Sequence, residues 1–195
     1  MRSKMLRQKR PQDIDSEIGI RLDNTTGRLE RLEDELFSNL RVMVIDEQFY
    51  KGLRDKLYER FQSGASVILY DMGIGYGELM GKTIQSVGVS KLGAYKRFME
   101  LGKKQGYGRF DVPLLKMIIS GIRGEPIVIL KDSFFATSAG RTGQVECYIV
   151  AGMIAGAARM ILGKNFECRE EMCISRGETR CQFRLKEVQV SKESP

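Results

Sequence analysis

A chain of 195 residues, with 42% hydrophobic and 29% charged residues, is long enough to bury the core of one globular domain. It contains no histidine, which excludes Ser-His-Asp triads, Cys-His dyads and imidazole metal ligands. Any metal has to be held by cysteine, aspartate, glutamate or backbone atoms. The formal charge of +7 is uneven, because five of the first ten residues are basic and the rest of the chain carries only +2.

The basic N-terminal segment, residues 1–25, is predicted to be a disordered tail. Its charge would suit nucleic acid, an anionic lipid surface or an acidic protein partner. No apolar segment of a secretory signal follows the basic residues, and the longest apolar tract, residues 147–162, is too short to span a bilayer. We therefore expect a cytoplasmic protein without a membrane span, where reducing conditions disfavour structural disulfides.

Residues 26–40 predict a helical lead-in, and residues 41–45 a short strand that opens a folded domain over residues 41–188. Residues 189–195 are expected to be a disordered C-terminus. Asp46 is a good N-cap for the helix that follows it. Four apolar residues recur in that helix at every fourth position and predict a core stripe: Phe49, Leu53, Leu57 and Phe61.

The next segment, residues 65–88, is rich in glycine but keeps a helical spacing. Gly73, Gly77 and Gly81 fall on one helix face. Each glycine costs about 1 kcal/mol relative to alanine inside a helix, so we expect a close neighbour there, another helix or a ligand. Nucleotide-binding loops are excluded, because Glu78 and Tyr76 stand where the dinucleotide and phosphate-loop motifs need glycine.

The second half of the chain predicts a mixture of helices and strands. A helix ends at Gly106, residues 112–120 are open to an extended interpretation, and residues 126–132 predict a strand. Residues 137–144 predict a loop, and residues 144–162 a helix of small residues, with Gly152 and Gly156 four apart. Two strands joined by residues 175–178 predict a C-terminal β-hairpin. Helices with a mostly antiparallel sheet indicate an α+β fold.

Three of the four cysteines lie in that hairpin. With the hairpin centred on Gly177, Cys173 and Cys181 face each other with Cβ atoms about 4.5–5.5 Å apart. This suits two ligands of one tetrahedral metal, and it nearly suits a disulfide, whose Cβ separation is about 3.5–4.5 Å. Glu170 would point to the opposite face from Cys173 in an ideal strand, so a shared metal requires a bulge. The residues alone leave open a metal site, plain buried thiols and a redox pair.

The hairpin pattern E-x-x-C-x7-C-x-F, with Gly177 four residues after the first cysteine, resembles the C-terminal signature of the 4-vinyl reductase domain family. Residues 49–81, 127–136 and 147–163 stand upstream in the expected order, so the resemblance covers about residues 41–185. It implies a fold like that of TRAPP vesicle-tethering subunits, with helices on one side of an antiparallel sheet and usually a dimer. The family includes sensory domains of phenol-responsive activators and a protein linked to reduction of the chlorophyll 4-vinyl group.

The phenol sensors imply a zinc ion held by four side chains. Carried over residue by residue, these are Cys147, followed by the aromatic Tyr148, together with Glu170, Cys173 and Cys181. Cys168 is outside the pattern and is expected to be a buried thiol. A zinc ion held by three cysteines and one glutamate has no open position, so it would be structural.

The leading functional prediction is a sensory or regulatory domain that binds a hydrophobic or aromatic small molecule. The pocket is expected to involve Tyr70, Phe110, Leu130 and Phe134, with core packing as the alternative for each. A reductase-related enzyme acting on a vinyl or aromatic substrate is a second interpretation, although no cofactor fingerprint supports it. A ligand-free assembly subunit is a third. The glycine stripes favour a homodimer, and the basic tail a protein partner or nucleic acid.

Overall fold

The computed structural model describes residues 20–23, 28–31, 45–111 and 125–188. The chain divides into two units, Met1–Val44 and Ile45–Pro195. In the first unit, strands β1 (Ile20–Asp23) and β2 (Arg28–Arg31) pair as an antiparallel hairpin. The strand predicted at residues 41–45, the extended segment at 112–120 and the C-terminus at 189–195 lie wholly or almost wholly outside the described residues.

This N-terminal hairpin differs from the sequence expectation. The sequence predicts a disordered tail over residues 1–25, yet Ile20–Asp23 is a strand, and the helical lead-in expected at 26–40 is replaced by strand at Arg28–Arg31. In both segments apolar and charged residues alternate with a period of two, which is the strand period. The helical spacing of Leu29, Leu32 and Leu36 extends beyond the paired residues and does not decide their structure.

The second unit begins with helices α1 (Glu47–Phe61), α2 (Gly64–Gln85) and α3 (Lys91–Lys104). The predicted cap of α1 is confirmed, because the Asp46 Oδ1 accepts the Phe49 N–H at 2.7 Å. Such a cap typically stabilises a helix by about 1 kcal/mol.

A four-stranded antiparallel sheet follows, which confirms the α+β fold. Its strands stand in the spatial order β3-β4-β6-β5, and two helices separate them along the chain. Burial alternates along β4, β5 and β6, so one face of the sheet is buried, and α5 packs against it with α2 on top of α5. The elements are β3 (Arg109–Asp111), β4 (Ile127–Lys131), α4 (Phe134–Ala139), α5 (Tyr148–Leu162), β5 (Phe166–Met172) and β6 (Cys181–Glu187).

The two glycine stripes meet each other inside the chain. A Cβ atom on Gly73 would lie 2.1 Å from the Ile149 carbonyl oxygen, and one on Gly152 would lie 2.0 Å from the Tyr70 carbonyl oxygen. No side chain fits such gaps, so α2 and α5 require glycine to approach this closely. The same backbone contact recurs one turn later at Gly77 and Gly156. The close neighbour expected from the sequence is therefore another helix of the same chain.

The core stripe expected on α1 is wrong. Phe49, Leu53 and Phe61 are 55%, 44% and 51% exposed, and the buried residue of α1 is Tyr50. The inner side of α1 is taken instead by Tyr50 and by Arg54, whose charge is paired inside the protein. Large apolar side chains on α2 are exposed as well. We call this set the outer apolar surface: Phe49, Leu53, Phe61, Val67, Met72 and Leu79.

The segment before α5 also differs from expectation. The helix α4 occupies part of the loop predicted at 137–144, because the Ser133 side chain caps it by accepting the Ala136 N–H. Helix α5 begins at Tyr148, four residues later than predicted. The N–H groups of Glu146 and Cys147 donate to a side chain on β5, which holds this segment outside the helix. No helix within the described ranges is both long and apolar enough to cross a membrane.

Candidate metal centre and adjacent cleft

Four buried side chains converge between the start of α5 and the C-terminal hairpin. Cys147 is the N-cap residue of α5, Glu170 lies on β5, Cys173 follows β5, and Cys181 begins β6. The ligand atoms of these four residues all lie within 4.8 Å of one another. They are the four residues that the family resemblance implied, and together they could hold a metal ion.

A β-bulge brings Glu170 and Cys173 to the same side. Glu170 pairs with Phe183, whereas Met172 pairs with Gln182, so the β5 strand carries one extra residue at Glu171. The pairing expected from a hairpin centred on Gly177 holds after the bulge and is shifted by one residue before it. The bulge removes the geometric objection raised by the sequence, because it turns both donors towards the start of α5.

The three sulfur atoms lie close together without disulfide bonds. The Cys147 and Cys181 Sγ atoms are 3.6 Å apart, the Cys181 and Cys173 Sγ atoms are 3.9 Å apart, and all four cysteines are free. Polar hydrogens point at the sulfurs: the Ile174 N–H donates to Cys181 Sγ at 3.5 Å. The Ser133 hydroxyl lies 3.2 Å from Cys147 Sγ. Donors of this kind stabilise thiolates, the form in which cysteine binds metals.

The Glu170 carboxylate is oriented by the backbone. Its Oε2 atom accepts the Cys147 N–H at 2.8 Å and the Glu146 N–H at 3.1 Å. Its Oε1 atom is buried without a hydrogen-bond partner among the described residues. Burial raises the pKa of Glu170 to about 8. A buried carboxylate oxygen without a partner is costly, and a cation beside it would remove that cost.

The electrostatics of the cluster also favour a cation. Burial raises the pKa of the Cys147 thiol well above its usual value. The pKa of Cys173 is lowered, because the side chains of Cys147 and Cys181 hydrogen-bond to its sulfur. Three thiols and a carboxyl group in one buried volume cannot all ionise without a compensating positive charge. A divalent metal would supply that charge and displace the protons.

An ion pair next to the cluster was not found by sequence reasoning. Glu146, only 2% exposed, accepts two hydrogen bonds from Arg54, at 2.8 Å from Nε and 2.5 Å from Nη2. The Arg54 guanidinium also lies 4.7 Å from the centre of the Tyr58 ring. The pair ties α1 to the residue before Cys147. The two partners are 92 positions apart, and no local pattern links them.

A cleft of about 820 Å³ lies beside the cluster. Its walls come from one side of α2, the segment that leads into α5, and the edge strand β5. Glu170 belongs both to the cleft and to the cluster, and Tyr148 lines the cleft directly after the ligand candidate Cys147. The lining residues are Ser66, Val67, Tyr70, residues 143–145, Tyr148, Ala151, residues 168–171 and Arg176.

The structure does not bring the four predicted pocket residues together. Tyr70 lines the cleft, but Leu130 is completely buried in the sheet core. The Phe110 ring lies against Gly102, and the Phe134 ring packs on Tyr50 with centroids 5.8 Å apart. For these three residues the core-packing alternative describes their contacts. Tyr148, Arg169 and Arg176 line the cleft and were not predicted as ligand contacts.

Cys168 lies outside the cluster, where the sequence placed it. Its side chain is 5% exposed, and burial raises the pKa of its thiol. Its backbone N–H donates to the Tyr70 hydroxyl at 3.0 Å. It therefore serves as a natural comparison for the three clustered cysteines.

Comparison with known proteins places this geometry in a family. Residues 126–187 match the family model of the 4-vinyl reductase domain, and they contain all four cluster residues. An uncharacterized protein of Methanocaldococcus jannaschii is 27% identical over 123 residues, which cover 63% of this chain. The chain spans 65% of the length of that curated relative.

Solved structures with the same fold include three that bear on the interpretation. The phenol-responsive sensory domain of the transcription activator PoxR, with phenol, has a TM-score of 0.71 at 18% identity, covering 90% of this chain and 89% of that chain. A vinyl-4-reductase family protein from Methanocaldococcus jannaschii has a TM-score of 0.56 at 19% identity, covering 96% and 100%. A trafficking protein particle complex subunit 3 from Naegleria fowleri, covalently bound to palmitic acid, has a TM-score of 0.50 at 17% identity, covering 75% and 95%.

At these identities the structural likeness shows the fold and nothing more. The family resemblance rests on the hairpin signature, which lies inside the matched residues. The matched segment extends from β4 to the end of β6 and carries both the cluster and one wall of the cleft. The resemblance drawn from the hairpin is thus confirmed, and the chain contains a 4-vinyl reductase domain at residues 126–187.

Proposed function

We propose that this protein is a small-molecule-binding sensory domain whose binding cleft is braced by a structural zinc ion. The observation that supports this most strongly is the shared wall between cleft and cluster. Glu170 belongs to both, and the adjacent residues Cys147 and Tyr148 face one each. Anything that fixes the cluster therefore also fixes one side of the cleft.

The donor set supports zinc as the metal. Three sulfurs and one carboxylate oxygen make a four-coordinate site of the soft kind that zinc occupies in structural centres. All four protein donors are used, so no position is left for substrate or water. The ion would staple the start of α5 to the hairpin, and its binding energy would contribute to folding. This role is structural and requires no catalytic step.

The ligand class is supported by the cleft walls and by the fold. The PoxR domain with the same fold was solved with phenol. Here the Tyr70 and Tyr148 side chains, with Val67 and Val145, offer a largely apolar surface beside polar groups. Such a mixture is typical of pockets for small organic molecules. We therefore propose an aromatic or hydrophobic small molecule as the ligand.

A route for the signal leads from the cleft to α1. The hydroxyl groups of Tyr148 and Tyr58 are hydrogen-bonded, and Arg54 holds Glu146 one residue before the cluster. Movement of Tyr148 on ligand binding would therefore be transmitted to α1. The other side of α1 carries part of the outer apolar surface, where a partner would detect the movement.

We propose that the partner at the outer apolar surface is a second copy of this chain. The glycine stripes that first suggested a dimer are used inside the chain, whereas Phe49, Leu53 and Leu79 are exposed. A large apolar patch is unusual on a monomer. An assembly subunit without ligand is the second candidate, and the same surface favours it. Nucleic acid or another protein remains the proposed partner of the basic tail, and the free thiols support a reducing, cytoplasmic setting.

Native mass spectrometry of the freshly purified full chain tests these proposals together. We expect a dimer with one zinc ion per chain and added mass from a retained organic molecule, or a mass shift when phenols are supplied. A zinc-loaded protein that binds no small molecule and copurifies with a stable protein partner would favour the assembly subunit. A metal-free monomer would contradict the proposal in all its parts.

A further inference from the structure

The acidic groups that line the cleft are occupied by other residues. Glu171 accepts from Arg184 Nε at 2.5 Å and from Arg184 Nη2 at 3.1 Å, and its Oε2 atom also accepts from Gln182 at 3.2 Å. The Glu170 carboxylate faces the cluster and accepts two backbone N–H groups there. Neither carboxylate is therefore available to balance a further positive charge in the cleft.

Arg169 supplies such a charge. It is exposed on β5, lines the cleft, and donates no hydrogen bond to any residue within the described ranges. Its cross-strand neighbour on β6 is Arg184. Like charges directly opposite in a sheet are destabilising, and the one nearby counter-charge, Glu171, is bound to Arg184. Arg169 is thus a cation with unfilled hydrogen-bonding capacity at the edge of the cleft.

Tyr70 adds a second donor. Its hydroxyl oxygen accepts the Cys168 N–H at 3.0 Å, which leaves the hydroxyl proton free to be donated. Arg176 also lines the cleft, but it donates to the Glu171 carbonyl oxygen at 3.3 Å and lies near Glu178. The remaining walls are apolar or aromatic, from Val67, Val145 and Tyr148.

From this arrangement we infer that the ligand of the cleft is an aromatic carboxylate rather than a neutral phenol. The inference rests on the proposed function, because it names the chemical class bound at the proposed site. The carboxylate would take two parallel hydrogen bonds from the Arg169 guanidinium, the geometry that arginine and carboxylate groups prefer. The Tyr70 hydroxyl would donate to the same group, and the ring would lie against the apolar walls. A neutral phenol would leave Arg169 without an anion.

Isothermal titration calorimetry on the zinc-loaded full chain tests this with two ligands of matched shape, 4-methylbenzoate and 4-methylphenol. We expect the carboxylate to bind at least about tenfold more tightly, and the difference to shrink at high salt. Arg169→Ala should abolish the preference while changing the affinity for 4-methylphenol less than about twofold. Arg169→Lys should retain part of it, because lysine keeps the charge but loses the paired donors.

Arg109→Ala is the matched control, since Arg109 is an exposed arginine on β3 outside the cleft. It should leave both affinities unchanged, and circular dichroism should show that every variant is folded. Equal or tighter binding of 4-methylphenol would overturn the inference and leave the proposed function standing. A preference for the carboxylate that survives Arg169→Ala would overturn the assignment to Arg169. Binding of neither compound would overturn the inference and the small-molecule function together.

Discussion

The two sides of α1 and α2 contrast in a way that runs against simple hydrophobic sorting. Their inner sides bury glycines and the charged Arg54, and their outer sides expose phenylalanine and leucine. Inside the chain the governing requirement is close approach of α5 and a tie to the segment that carries Cys147. Outside, nothing in the described part of the chain covers the apolar side chains. The contrast indicates that the inner sides serve the site and the outer sides serve a partner.

Breaking the buried ion pair is the largest change we expect on the inner side. Arg54→Ala leaves the Glu146 carboxylate buried and unpaired, which typically costs about 3–5 kcal/mol. Lys56→Ala removes the exposed pair with Glu59 on the same helix and should cost less than about 0.5 kcal/mol. Urea unfolding of both variants measures the difference. Equal effects would mean that the buried pair does not hold α1 in place.

Adding one methyl group to a glycine stripe should be nearly as damaging. In Gly73→Ala the new Cβ would meet the Ile149 carbonyl oxygen at 2.1 Å, so α2 and α5 have to separate. We expect a loss of about 3 kcal/mol in the free energy of unfolding, as in severe overpacking. A loss below about 1 kcal/mol would show that the two helices are not in this contact.

Gly75→Ala on the outer side of α2 is the matched control. A Cβ there has nothing within 4 Å, so the substitution only exchanges glycine for a better helix former. Thermal unfolding should show a gain of up to about 1 kcal/mol. A marked loss of stability that depends on protein concentration would reveal a partner chain in close contact at Gly75.

Polar substitution on the outer apolar surface should have the smallest effect on folding but a clear effect on assembly. Leu79 is 62% exposed, so Leu79→Gln should change the stability of a single chain by less than about 0.5 kcal/mol. Analytical ultracentrifugation should show the unaltered chain as a dimer and the variant shifted towards monomer. A monomer for the unaltered chain at micromolar concentration would contradict the dimer.

The sequence predicts the metal cluster better than the cleft, for a physical reason. Cys173 and Cys181 are related by the hairpin, a local structure whose spacing is visible in the sequence. Glu170 required a bulge that spacing cannot specify, and Cys147 came only through the family resemblance. The cleft is formed by α2, the segment before α5 and β5, which meet only through tertiary packing. No local pattern in the chain reports which of their side chains share a space.

The stripe on α1 teaches a related point. Phe49, Leu53 and Leu57 recur with helical periodicity, and that pattern is the same whether the apolar side faces the core or another molecule. The helix itself was therefore predictable, whereas its orientation was not. What reverses the orientation is the Arg54–Glu146 pair, whose partner lies 92 positions away.

Elemental analysis of zinc after purification without chelators tests the central claim most directly. The account predicts one zinc ion per chain, lost in Cys173→Ser and in Cys147→Ser together with much of the stability of the domain. Cys168→Ser should keep the metal and cost on the order of 1 kcal/mol through packing alone. Only trace zinc in the unaltered protein, with all four thiols reduced, would contradict the metal centre and leave the cluster as ordinary buried core.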